Sequence, residues 1–183
     1  MLAESVPARG KQNPARAAAR PPLRLVDVVA EESERMSTGV PELDRVLGGG
    51  LVPASLVLVG GEPGVGKSTL LLSALGAISR DRRALLVTGE ESVAQVKLRA
   101  ARLGGCDPVE ILAETELDAV CETLERERPA VCVIDSVQTL WSQEVGSAPG
   151  SVSQVREAAG RLLRVSKENG VATFLVGHVT KDG

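Results

Sequence analysis

The segment GEPGVGKST, Gly61 to Thr69, restricts what this chain can fold into more than any other stretch. It follows the apolar run Ser55 to Val59 and leads into the apolar run Leu70 to Ile78. A strand, a glycine-rich turn and a helix start therefore come in that order. Gly61, Gly66, Lys67 and Ser68 meet the spacing G-x-x-x-x-G-K-S. Gly64 and Gly66 let the backbone curl until successive N–H groups converge on one point at the positive end of a helix dipole, where phosphate oxygens can sit. Lys67 adds a point charge for the outer phosphates of a nucleoside triphosphate, and the Ser68 hydroxyl is placed to ligate Mg2+. The expected nucleotide-binding set is Gly61, Glu62, Pro63, Gly64, Val65, Gly66, Lys67, Ser68 and Thr69. A surface turn could match the spacing alone, but it would need neither the strand before it nor the helix after it.

Downstream, the apolar pattern alternates between strand and helix. Ala84 to Val87 reads as a strand, and Ser92 to Leu103 as a helix with Val93, Val96, Ala100 and Leu103 on one face. Val109 to Ala113 reads as a strand, and Glu116 to Arg128 as a helix with Leu117, Val120, Cys121 and Leu124 inward, stopped by Pro129. Ala130 to Ile134 is nearly all apolar, as in a strand covered on both faces. A further helix starts at Ser151 with the capping pattern Ser151, Gln154, and Val171 to Val176 is the fifth strand. Upstream, Pro41 to Leu47 reads as a short helix ended by Gly48 to Gly50. The alternation predicts an α/β fold with a mainly parallel sheet flanked by helices, whose ligands bind at the carboxyl ends of the strands.

That rule gathers polar residues at one sheet edge. Asp135 closes the strand VCVID, where its carboxylate can hold Mg2+ through the metal's water shell and complement Ser68. Glu90 and Glu91 follow the second strand, where a carboxylate can orient and deprotonate the water that attacks a terminal phosphate. Glu90 lies nearer the strand end and is the candidate base, with Lys67 as its catalytic partner. Glu91 can equally serve the dipole of the next helix. His178 follows the fifth strand; it fits a phosphate sensor, and it fits a satisfied loop histidine as well. Lys181 can meet phosphate, DNA or solvent.

Composition limits the function classes. The chain has 183 residues, 43% of them hydrophobic and 25% charged, enough for one domain with a substantial core. No run is long enough for a membrane span and the first thirty residues lack a secretory apolar segment, so a cytoplasmic location is expected. Cys106, Cys121 and Cys132 have no C-x-x-C spacing, so neither a disulfide framework nor a zinc site is expected. The net charge is −3 and the aromatics are Trp141 and Phe174, which excludes a base-stacking platform and leaves phosphate contacts for any nucleic acid. Residues 1–22 are rich in Ala, Arg and Pro, the composition of a flexible basic linker or tail, and ordered structure is expected over 23–183.

Two further segments bear on partners. Residues 136–150 lack a clear period and are long for a connection, which makes them a candidate DNA-contacting or subunit-packing loop. On the helix that follows, Arg156, Arg161, Arg164 and Lys167 fall in one arc away from Val152, Val155, Ala159 and Leu162. Such an arc can line a channel or simply be solvated.

The runs STGVPELDRVLGGGLVPASLVLVGGEPGVGKSTLLL, VTGEESVAQVKLRAARLG, VIDSVQTL, GSVSQVREAAGRLL and FLVGHVTKDG together resemble the bacterial DNA repair ATPase family RadA, also called Sms. The likeness runs from Leu23 to Gly183. It implies a RecA-like motor core, ATP and Mg2+, and a homo-oligomeric ring, a hexamer in such motors. It further implies binding of single-stranded DNA and recombination intermediates, branch migration alongside the RecA recombinase, and the base role for Glu90. RadA proteins also carry a four-cysteine zinc module, a Lys-Asn-Arg-Phe-Gly motif and a Lon-protease-like domain. None is read here, so an incomplete core is expected, with the phosphate-loop strand at an exposed sheet edge. The alternative is an ATP-binding assembly or regulatory module with little hydrolysis; a clock-type, KaiC-like ATPase shares the Glu-Glu-Ser stretch, but GHVTKDG argues against it.

Overall fold

A computed structural model describes residues 22–27 and 34–178. The chain divides into two units, 1–32 and 33–183. In the first, Leu25–Asp27 form a 3-10 turn closed by an ion pair from Arg24 to Asp27. Lys181 and nearly all of the expected tail, residues 1–21, lie outside the described residues.

The second unit alternates helix and strand as the apolar pattern predicts. Its elements are α1 (Pro41–Val46), β1 (Leu56–Gly61), α2 (Lys67–Ile78), β2 (Ala84–Thr88), α3 (Val93–Leu103), β3 (Glu110–Ala113), α4 (Leu117–Glu127), β4 (Val131–Asp135), α5 (Val152–Asn169) and β5 (Ala172–His178). The five strands form one all-parallel sheet in the order β1-β5-β4-β2-β3. Alternate residues feed two cores, because successive side chains of a strand point to opposite faces. Leu86, Val131, Val133, Phe174 and Val176 pack with Leu71, Leu72 and Leu75 of α2 on one face. Leu85, Val87, Cys132, Ile134 and Leu175 pack with α4 and α5 on the other. The fold is a three-layer α/β sandwich in which β2 and β4 are buried along their whole length.

Helix faces follow the expected periodicity unevenly. On α4 the inward residues are Leu117, Val120, Cys121 and Leu124, as predicted. On α3 only Val96 is buried, and Val93 is 45% exposed. On α5 the buried positions are Gln154, Ala158, Leu162, Val165 and Ser166; of the predicted face Leu162 is buried, Val155 and Ala159 pack at its margin and Val152 is exposed, so the inner face is turned toward Gln154 and Ser166. The cause is polar burial, which an apolar pattern does not register. Ser166 shares a 2.7 Å hydrogen bond with Thr173 of β5. Gln154 accepts from Ser142 N–H and donates to the carbonyls of Ser142, Val145 and Ser147. Only half of the expected capping box therefore forms: Ser151 caps the Gln154 N–H, while the Gln154 side chain turns to the preceding loop.

Candidate nucleotide-binding site

Because all strands are parallel, their carboxyl ends share one edge, and the register fixes what meets there. Gly61 of β1 lies beside His178 of β5, and Thr88 of β2 beside Asp135 of β4. Between β1 and α2 the chain turns through Gly64 at φ 80° and Gly66 at φ 98°, left-handed conformations that a side chain disfavours. Lys67, the first residue of α2, folds back and is 8% exposed. Its ammonium donates to the Gly61 carbonyl at 2.8 Å and the Glu62 carbonyl at 2.9 Å, and stands 3.4 Å from His178 Nδ1.

This geometry assigns the histidine tautomer. An ammonium can only donate, so in the neutral ring Nδ1 is the acceptor and the proton sits on Nε2. Nε2 lies 2.9 Å from Glu90 Oε1 and donates to it. The Ser136 hydroxyl donates to the same oxygen. A chain of contacts thus runs from Lys67 through His178 to Glu90 and Ser136. Gly89 makes the approach of Glu90 possible: a Cβ there would stand 2.1 Å from Thr139 Oγ1, in the 3-10 turn Val137–Thr139. The Gly89 N–H also donates to the Asp135 carbonyl at 3.0 Å, tying the two loops together.

Asp135 is 7% exposed, and burial pushes its carboxyl above the ordinary carboxylate range. A hydrogen bond from Ser68 opposes that shift, the nearby charge of Glu90 adds to it, and Arg99 lowers it. The pair Ser68 and Asp135 suits Mg2+, which takes one or two protein oxygens and keeps water and phosphate for the rest of its octahedron. A cation there would also relieve the buried carboxylate.

The adjacent acids go to different partners. Glu91 accepts from Arg99 Nη1 at 2.6 Å, and its main chain is pinned by Thr88 Oγ1, which accepts from Glu91 N–H and donates to its carbonyl. Glu90 points instead to His178 and Ser136. Pro63, Gly64, Gly66, Lys67, Ser68, Thr69, Glu90, Glu91, Arg99 and His178 line one open cleft of about 260 Å³. Sequence reasoning missed Ser136 and Arg99; the position of Ser136 directly after the strand-ending Asp135 was the one available signal.

The DNA candidates on α5 do not line this cleft. Arg156 and Arg164 are exposed on α5, whereas Arg161 turns inward to an ion pair with Asp118 of α4 and leaves the expected arc. The segment 136–150 is partly packed, with Ser136, Val137, Leu140 and Ser142 buried.

The AAA domain family matches residues 19–183, which include the phosphate loop, both acids and the sheet that carries them. The chain belongs to the AAA domain family. This AAA domain is 52% identical over 161 residues to the DNA repair protein RadA of Escherichia coli strain K12, covering 87% of the chain and 35% of that relative. It is 50% identical over 165 residues to the RadA of Halalkalibacterium halodurans, covering 88% and 36%. Against the RadA of Streptococcus pneumoniae it is 49% identical over 163 residues, covering 88% and 39%. The resemblance expected from the sequence is borne out, and the chain spans a little over a third of the length of these relatives.

Proposed function

We propose that this AAA domain is the ATPase core of a RadA-type DNA repair motor. The observation that carries the reading is the alignment of Lys67, His178 and Glu90 across one cleft, with Ser68 and Asp135 beside them. The backbone N–H groups of Gly64, Val65 and Gly66 and the Lys67 ammonium would cradle the phosphates. Mg2+, held by Ser68 and through water by Asp135, would neutralise charge on the transferring phosphoryl group. Glu90 Oε1 accepts hydrogen bonds from His178 and Ser136, so Oε2 is the oxygen available to a water. That water attacks the terminal phosphorus, the bond to the bridging oxygen breaks, ADP leaves, and the water's proton passes to Glu90. His178, bonded to both Lys67 and Glu90, would sense the terminal phosphate and pass its loss to the segment that follows.

Single-stranded DNA and recombination intermediates are the proposed partners, with branch migration alongside RecA as the coupled task and a hexameric ring as the assembly. The location proposed is the bacterial cytoplasm; among the described residues no helix is long and apolar enough to cross a membrane. DNA contact is assigned to Arg156, to Lys181 and to the exposed tip of 143–150. That tip carries no Lys or Arg, so it would act through backbone N–H groups. A second reading, ATP-dependent assembly with little turnover, draws on the engagement of Glu90 by two donors. Steady-state turnover with and without single-stranded DNA separates the two. The motor reading expects DNA-stimulated hydrolysis that falls roughly a hundredfold in Glu90→Gln, with ATP binding retained. ATP-dependent oligomerisation with negligible turnover would favour the second.

A further inference from the structure

Arg99 projects from α3 into the wall of the same cleft and is only 14% exposed. Its Nη1 is bonded to Glu91, but Nε is buried without a hydrogen-bond partner. Burying a guanidinium with one donor unmet is unfavourable unless something completes it, and Glu91, 36% exposed and fixed through Thr88, leaves that donor open. Its bond to Glu91, the residue after Glu90, places the guanidinium on the side of the cleft that carries the acids. Arginine has five N–H donors in a planar fork, a geometry that matches phosphate oxygens.

We propose that Arg99 is a second phosphate-binding cation of this site, supplied by the same chain, with Glu91 as the counterion that holds it in place until a terminal phosphate competes for it. The proposal rests on reading the cleft as a triphosphate site. It makes Glu91 a competitor of ATP and not a helper, which separates it from Glu90. Because Arg99 stands on the side of the acids, its contribution belongs to the terminal phosphate and should appear as a preference for ATP over ADP.

The test is calorimetric titration of Mg-ATP and Mg-ADP into the full chain and into Arg99→Ala, Arg99→Lys, Glu91→Gln and Lys67→Ala. Arg99→Ala should lower the ATP-over-ADP preference about tenfold with ADP affinity nearly unchanged, and Arg99→Lys should recover part of it. Glu91→Gln should move ATP affinity in the opposite direction, to tighter binding. A purely structural ion pair predicts the same sign for both partners, a loss of stability with the nucleotide preference intact, and that result overturns the proposal. Wild-type protein that binds neither nucleotide overturns the site reading and this proposal together. Wild-type binding that Lys67→Ala abolishes and Arg99→Ala leaves unaltered overturns this proposal alone.

Discussion

At the scale of single residues, the buried carboxyl of Asp135 sets a sign that can be measured. Its native pKa lies above the ordinary value of 3.8, so the native state binds the proton more tightly than the unfolded chain. The contribution of Asp135 to stability should therefore fall as pH rises through the interval from the ordinary value to the raised native one. Asp135→Asn removes that contribution and keeps those of the other carboxylates. Guanidinium unfolding without Mg2+ or nucleotide should show the variant gaining on wild type as pH rises through that interval; a gap independent of pH would contradict this. The residues of the phosphate loop were legible in the sequence because they are contiguous, and their spacing alone states their geometry. Asp135 and Glu90 were legible because strand ends in a parallel sheet converge. Ser136 and Arg99 were not, since their roles depend on partners brought together by the fold: Ser136 meets a glutamate 46 positions away.

At the scale of elements, Gln154 shows how a polar side chain can organise a loop. It lies at 2% exposure in the first turn of α5 and bonds four backbone groups between Ser142 and Ser147. Gln154→Ala would leave buried N–H and C=O groups unpaired, at a cost of about 2 kcal/mol, and should speed amide exchange across 142–147. Denaturation and exchange measurements test both; full stability in the variant would contradict the assignment. The same residue explains a limit of the sequence reading. Apolar and turn patterns located the five strands and five α-helices of the described core, most directly where a stripe is buried, as on β2, β4 and α4. They misplaced the inner face of α5, where Gln154 and Ser166 are buried for their hydrogen bonds, and they overstated the buried face of α3. Arg161 was likewise placed in an arc that lines a channel or is solvated, because an ion pair across helices leaves no trace in local spacing.

At the scale of the whole molecule, the sheet ends at β1, which pairs with β5 on one side only among the described residues. Leu58 is 65% exposed there. An open, apolar edge strand is a template for pairing with another chain. Leu58→Lys should reduce nucleotide-independent self-association in sedimentation, with stability changed by no more than about 0.5 kcal/mol; unaltered association would show that the edge is not the contact. The phosphate cradle between β1 and α2 is tested by isothermal titration of folded protein with Mg-ATP, beside Lys67→Ala. Wild type should bind saturably and the variant should lose that binding. Folded wild-type protein that gives no binding heat, or a Lys67→Ala variant that binds equally well, would contradict it.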